Sequence, residues 1–481
     1  MPGLKNNFII MMFRKVSLLT LSHVISGLLM LATTPVLASK LGPELYGEFS
    51  FMDSVLFVCI VIGSLGTEYI GNREVACGKN REESVNAILL LRSAASIIVY
   101  ILLTIWIFLF IDSKTLRPLL FVCSTIVLSV PGIAGWFFLA QHKIKLVAAV
   151  TILRELSFFV FVVFFLGKIG SQDNQALQAG IFYSISRFIF AGALFFRLIR
   201  DHKFSFKVKY ETYYKIIKDS APLLYATLII GLVINIETFI LKYYDRIYSL
   251  GIYGAFFKQI FYLQLLPLSF TAIFFPVLSR AWRENRPGYE RVAKLLSEII
   301  LLIMVPISLA GVLNADYLIK SFFSAEYENG TSAMRLLCLC LVPMGFQRVL
   351  TTCFLITMDK SSKMYAITNI TFIFSIIAGF LLIGNFQRAE TGAALSKLLT
   401  ETLALCISLR IISANIKVVD PQMLYSLIPA VSGMVSVHLV LFTASPVLKI
   451  LLGPAMFFII YSFITYKTRY PALMELKVRQ E

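Results

Sequence analysis

Apolar runs of membrane-spanning length, each closed by a short polar segment, recur along nearly the whole chain. Stretches such as Ala87–Leu91 and Ile97–Ile111 are continuous, with no period-two alternation, so they predict helices and not the strands of a membrane barrel. The pattern predicts fourteen spans: 16–38, 47–70, 85–111, 117–140, 146–167, 176–198, 220–242, 250–276, 292–314, 332–357, 363–384, 389–413, 424–444 and 447–467. The first run ends Val36-Leu37-Ala38-Ser39, like a signal-peptide cleavage site. It is nevertheless longer than a signal peptide's usual apolar region, and it reads as a retained first span.

Of the 481 residues, 58% are hydrophobic and 15% charged, which is more apolar and less charged than a soluble domain. The fold class expected is therefore an all-α polytopic membrane protein. A net charge of +17 suggests a nucleic-acid partner at first sight. The Lys and Arg lie in short loops, however, so their distribution bears on orientation and no nucleic-acid partner is expected. With the N-terminus placed in the cytoplasm, 28 of the 44 basic residues fall on the cytoplasmic side and 10 on the outer side; six lie within spans. This asymmetry predicts that both termini are cytoplasmic. The basic, aromatic connector Arg197–Lys218 reads either as a segment lying on the inner leaflet or as a plain link between halves. The longest outer loop, 315–331, is too short for a separate domain.

An internal repeat organises the spans. Leu41-Gly42-Pro43-Glu44-Leu45-Tyr46-Gly47-Glu48-Phe49 follows the first, and Leu250-Gly251-Ile252-Tyr253-Gly254-Ala255-Phe256 opens the eighth. The Tyr-Gly-x-Phe core recurs at an offset of 207, as do Arg73 and Arg280. Six intervening spans give both copies the same orientation, a parallel repeat of transporter type. The expected division is a six-helix lobe over 1–205, a second over 206–415, and a helix pair with a tail over 416–481.

These residues, with Lys218-Asp219-Ser220-Ala221-Pro222 and Ile236-Glu237, are similar to motifs of the polysaccharide-export flippases of the O-antigen type. That family sits within the multidrug/oligosaccharidyl-lipid/polysaccharide exporter superfamily. The chain departs from it in having Glu237 where Asp is frequent and Gly254 where Ser is common. The resemblance implies translocation of a polyprenyl-diphosphate-linked oligosaccharide by alternating access across a bacterial inner membrane. Its implied partners are that lipid-linked cargo, membrane lipids, a coupling proton or sodium ion and other glycan-assembly proteins.

Charges within spans are costly and normally face protein or water. Six are basic: Arg92, Arg154, Arg187, Lys258, Arg348 and Lys397. Arg187 shares a helical face with Gly180, Ser184 and Ala191. Lys258 shares one with Gly251, Gly254, Ala255 and Tyr262, and Lys397 with Ala393, Thr400, Glu401 and Ala404. One reading is a cationic cavity for a lipid-linked diphosphate, built from Arg187, Lys258, Arg348, Arg92 and Lys397. The other is internal pairing with acids such as Asp53, Glu155, Glu237 and Glu401, with Arg154 and Glu155 snorkelling near the cytoplasmic end. Asp53, Glu237 and Glu401 are candidate ion-coupling carboxylates. The seven cysteines and four histidines show no metal spacing, and no phosphate-binding loop is present, so neither metal, cofactor nor direct ATP use is expected. A drug or cation antiporter and, less well supported, a membrane glycan polymerase are the competing functions; short loops disfavour any enzyme.

Overall fold

The computed structural model describes residues 2–77, 81–168, 174–416, 418 and 421–440, together with parts of 452–463. The first ten helices are α1 Pro2–Ser64, α2 Thr67–Cys77, α3 Arg81–Phe110, α4 Leu116–Ser124, α5 Gly135–Ala140, α6 Ile144–Val160, α7 Gln175–Asp201, α8 Tyr210–Tyr243, α9 Ile247–Leu263 and α10 Leu265–Glu284. They are followed by α11 Arg286–Leu313, α12 Ala315–Phe322, α13 Thr331–Val349, α14 Ser361–Asn385, α15 Ala389–Ser413 and α16 Pro421–Val440. The described residues contain no strand. Nine of their helical segments are long and apolar enough to cross a membrane, ten if the bent pair over 247–284 counts as one span. The chain is an all-α polytopic membrane protein.

The first twelve expected spans each coincide with a helical segment, and the thirteenth with α16. The fourteenth, 447–467, lies largely outside the described residues. Several spans are interrupted where the sequence reading drew them straight. Spans one and two run together as α1, broken at Gly42, whose φ of 72° and ψ of 167° are non-helical. A side chain is disfavoured at that φ, and a Cβ would also stand 2.9 Å from Glu326 Oε2. Span four changes from α4 to a 3-10 turn at Thr125–Gly132 and resumes as α5. Span five ends in a π turn, Phe161–Phe165. There Lys40 Nζ donates to the carbonyls of Val162, Val163 and Leu166 at 2.9, 3.1 and 3.0 Å, satisfying groups the helix end leaves open.

Packing divides the chain into two compact units: Met1–Leu265 with Phe322–Tyr327 and Thr368–Ser396, and Leu266–Ser321 with Glu328–Ile367 and Lys397–Glu481. Within the first, connections alternate between two ends of the helices, as successive membrane crossings require. At one end Lys143 pairs with Asp201 at 2.6 Å, Arg73 with Asp219 at 2.8 Å, and Glu83 accepts from the Lys209 amide at 2.9 Å. At the other end Tyr248 donates to the Glu326 carbonyl, and Glu48 accepts from Ser113 and Thr115.

The repeated motif explains the packing of α1 on α9. A Cβ on Gly47 would strike the Ile247 carbonyl, one on Gly251 the Pro43 carbonyl, and one on Gly254 the Ser50 side chain. Tyr46 and Tyr253 are both buried beside these contacts. The two copies of Tyr-Gly are therefore pressed against each other, and absent side chains set their separation. In the second unit α11 packs on α13, where Gly311 meets Cys338, and α16 packs against α11.

Candidate functional site

Four helices of the first unit bring charged side chains into one chain of contacts. Asp53 on α1 pairs through Oδ2 with Lys258 Nζ of α9 at 2.9 Å, and its Oδ1 accepts from the Tyr183 hydroxyl of α7 at 2.5 Å. One turn along α7, the Arg187 guanidinium lies 4.4 Å from the Tyr183 ring centre and pairs with Glu155 of α6 at 3.0 Å. Arg154 completes the series, pairing with the same Glu155 oxygen at 2.6 Å while its guanidinium faces the Phe190 ring. The second oxygen of Glu155 has no hydrogen-bond partner among the described residues.

Three cations thus surround two carboxylates, leaving one positive charge in excess. Glu155 is almost wholly enclosed, whereas Asp53 retains 28% of its side-chain exposure and Lys258 17%. Arg154 keeps 27%, so both ends of the cluster are partly exposed and Glu155 at its middle is enclosed. Taking such charges from water costs several kcal/mol each, so every member depends on its partners. The wall is aromatic. Phe49 stacks on Phe158 and meets Tyr183 edge to face, with centroids 6.4 and 5.6 Å apart, and Lys258 Nζ lies 5.4 Å from the Phe49 ring centre.

The structure joins Arg187, Lys258 and Asp53 but leaves the remaining candidates elsewhere. Arg92, fully buried on α3, donates to Thr67 Oγ1 at 2.7 Å and to the Ile133 carbonyl at 3.1 Å, at the break between the 3-10 turn and α5. Its Nη2 has no partner among the described residues. Glu237 is fully buried on α8. In the second unit Lys397 is wholly enclosed and pairs with Glu401, four residues on, at 3.5 Å; Arg348 lies within electrostatic reach of the same Glu401.

Two readings of local pattern need correction. The small residues near Arg187 do not accompany it toward a cavity. Gly180 packs against Leu119, and Ala191 lies where a Cβ on Gly132 would fall, so this face seats α7 on α4 and the 3-10 turn. Glu155 does not snorkel, because Arg187 reaches it from α7 and it is enclosed, while Arg154 pairs with the same oxygen and keeps part of its exposure. What the sequence reading missed is an aromatic one helical turn from each charge: Phe49 and Asp53, Arg154 and Phe158, Tyr183 and Arg187. Only Lys258 with Tyr262 was noticed. The i, i+4 spacing was the available signal.

A many-spanning helical fold carrying an ion cluster between its helices is that of an all-α polytopic membrane protein. The family described as polysaccharide biosynthesis protein matches residues 12–282, more than half of the chain, and the chain belongs to that family. Three solved structures share its fold. "Lipid II flippase MurJ, inward closed conformation" gives a TM-score of 0.72 at 14% identity, covering 95% of this chain and 99% of the other. An inward-facing multidrug resistance MATE family transporter of the MOP superfamily gives 0.64 at 14% identity, covering 81% and 95%. A MOP superfamily transporter from Pyrococcus furiosus, titled for the reverse polarity of its binding pocket, gives 0.57 at 15% identity, covering 83% and 95%. No curated protein matches the chain in sequence.

Proposed function

We propose that the chain is a flippase that carries a polyprenyl-diphosphate-linked oligosaccharide, an O-antigen unit or similar glycan, across a bacterial inner membrane by alternating access. The observation that carries this reading is the partly open Asp53–Lys258 pair within a cluster of net positive charge and aromatic walls. A diphosphate needs cations once its head group leaves water, and sugars stack on aromatic faces. The family's name and the fold shared with a lipid II flippase agree with such a cargo.

In this reading Lys258 and Arg187 contact the head group, and the carboxylates hold their places between cycles. An arriving diphosphate takes Lys258 and releases Asp53, which then accepts a proton or helps to bind sodium. Arg348 and Lys397 with Glu401 are further charges of the second lobe, which also carries Lys258; Arg92 and Glu237 are further candidates. The lobes are 1–205 and 206–415, the pair over 416–481 is appended, and both termini are cytoplasmic. Other glycan-assembly proteins supply and receive the cargo.

A MATE-like drug or cation antiporter is the alternative of another class. A site for organic cations is expected to carry excess negative charge, and this cluster carries the reverse. The deciding experiment is a liposome assay that follows a fluorescent polyprenyl-diphosphate oligosaccharide between leaflets. Replacing Lys258 or Arg187 with Ala is expected to slow translocation at least about tenfold, since the first leaves Asp53 without its cation and the second removes one of the two cations that hold Glu155. Full rates in both single variants and in the triple variant R187A/K258A/R348A would overturn the reading, and efflux of cationic dyes by the wild type would favour the antiporter.

A further inference from the structure

The connector between α7 and α8 has a composition and a placement that neither span requires. Residues 202–218 contain five lysines and one acid, Glu211. Most acids around the connector are already engaged, and Glu82 lines one pocket with Lys207 and Lys209. Asp201 is held by Lys143 and Arg197, Asp219 by Arg73, Glu74 by Arg73 and Lys215, and Glu83 by the start of α8. Lys203, Lys207, Lys209 and Lys218 are exposed and form no salt bridge among the described residues.

Beside these lysines the chain exposes large apolar surface. Phe204 and Phe206 meet edge to face, with centroids 4.9 Å apart. Phe206 is 78% exposed and Tyr210 81%, and Tyr214 and Ile217 continue the stripe at helical spacing along α8. The opposite face is seated: Ile216 is buried, and Val208 and Tyr213 pack against the core formed by Val85, Trp136 and Leu198. At 34 residues α8 is about 50 Å long, whereas a bilayer's hydrocarbon is about 30 Å thick, so its first turns extend past the span. The connector immediately follows the end of a second spanning helix, α7, which places it at the height of the lipid head groups.

We propose that residues 203–218 dock on the anionic phospholipid head groups of the leaflet at this end of the helices. The aromatic rings enter the interface while the four exposed lysines engage phosphate, and the seated face keeps α2, α3 and α8 in register above the bilayer. The occupant is bulk anionic lipid and not the transported cargo, so this docking does not depend on the proposed flippase activity.

The test is hydrogen exchange of residues 203–218 in the full-length protein, reconstituted in nanodiscs of phosphatidylcholine alone or with roughly one lipid in three replaced by phosphatidylglycerol. Exchange is expected to be about tenfold slower in the anionic discs, since each lysine near such a surface strengthens attachment about fivefold and the lysines share the effect. Molar salt is expected to abolish the difference, as is the variant K203Q/K207Q/K209Q/K218Q. Equal exchange in the two lipid compositions would overturn the proposal, as would protection unaffected by salt. Protection that appears only when a polyprenyl diphosphate is added would assign the segment to cargo instead. If the quadruple variant fails to fold, the lipid and salt arms on the wild type still decide.

Discussion

The two compact units both bury basic side chains, but they hold them differently. In the first, Lys258, Arg187 and Arg154 draw their carboxylates from other helices or share them across helices, so α1, α6, α7 and α9 are bound by one network. In the second, Lys397 finds Glu401 on its own helix, one turn away. An ion pair between helices depends on the helices keeping their arrangement, whereas an i, i+4 pair moves with its own helix. The first arrangement suits a site that reports on conformation and the second a site that travels intact through it.

Removing Glu155 tests that contrast most severely. Glu155→Ala leaves two guanidinium groups facing each other without their shared partner, and the expected loss is about 3–5 kcal/mol of stability. Thermal unfolding of the detergent-solubilised protein measures it, and an unchanged midpoint would show that the cluster does not bind its helices together. Gly251→Val probes the same unit away from the charges. The added carbons meet the Pro43 backbone, which cannot turn aside, so α1 and α9 are forced apart at a cost of about 1–3 kcal/mol in the same measurement. Glu401→Gln is expected to be mildest, with less than about threefold loss in transport rate, because its closest partner lies on the same helix and the amide oxygen still accepts from Lys397. A loss of stability equal to that of Glu155→Ala would erase the distinction between the units.

Much of the architecture was readable before any coordinates. Spans announce themselves by length and hydropathy, and Gly42-Pro43 marked the break between the first two. The breaks inside spans four and five were not readable, because 3-10 and π turns there carry no consistent residue signature beyond Pro131. The small-residue stripe of Lys258 faces α1, where Asp53 pairs with it. The small neighbours of Arg187 are buried, as a stripe that avoids lipid implies, but they seat one helix on another, and nothing in them points to Glu155 as its partner. Arg92 shows where sequence reasoning stops. One of its acceptors is a carbonyl exposed by a break in another helix, and no pattern around Arg92 announces that.

The meeting of the two Tyr-Gly copies bears on how far each copy is free to vary. The contact joins different positions of the two: Gly47 faces Ile247 and Gly251, whereas its counterpart 207 residues on, Gly254, faces Ser50. A substitution in one copy therefore meets a neighbour that its counterpart in the other copy does not, and Ser50 and Phe257, equivalent by that offset, differ accordingly.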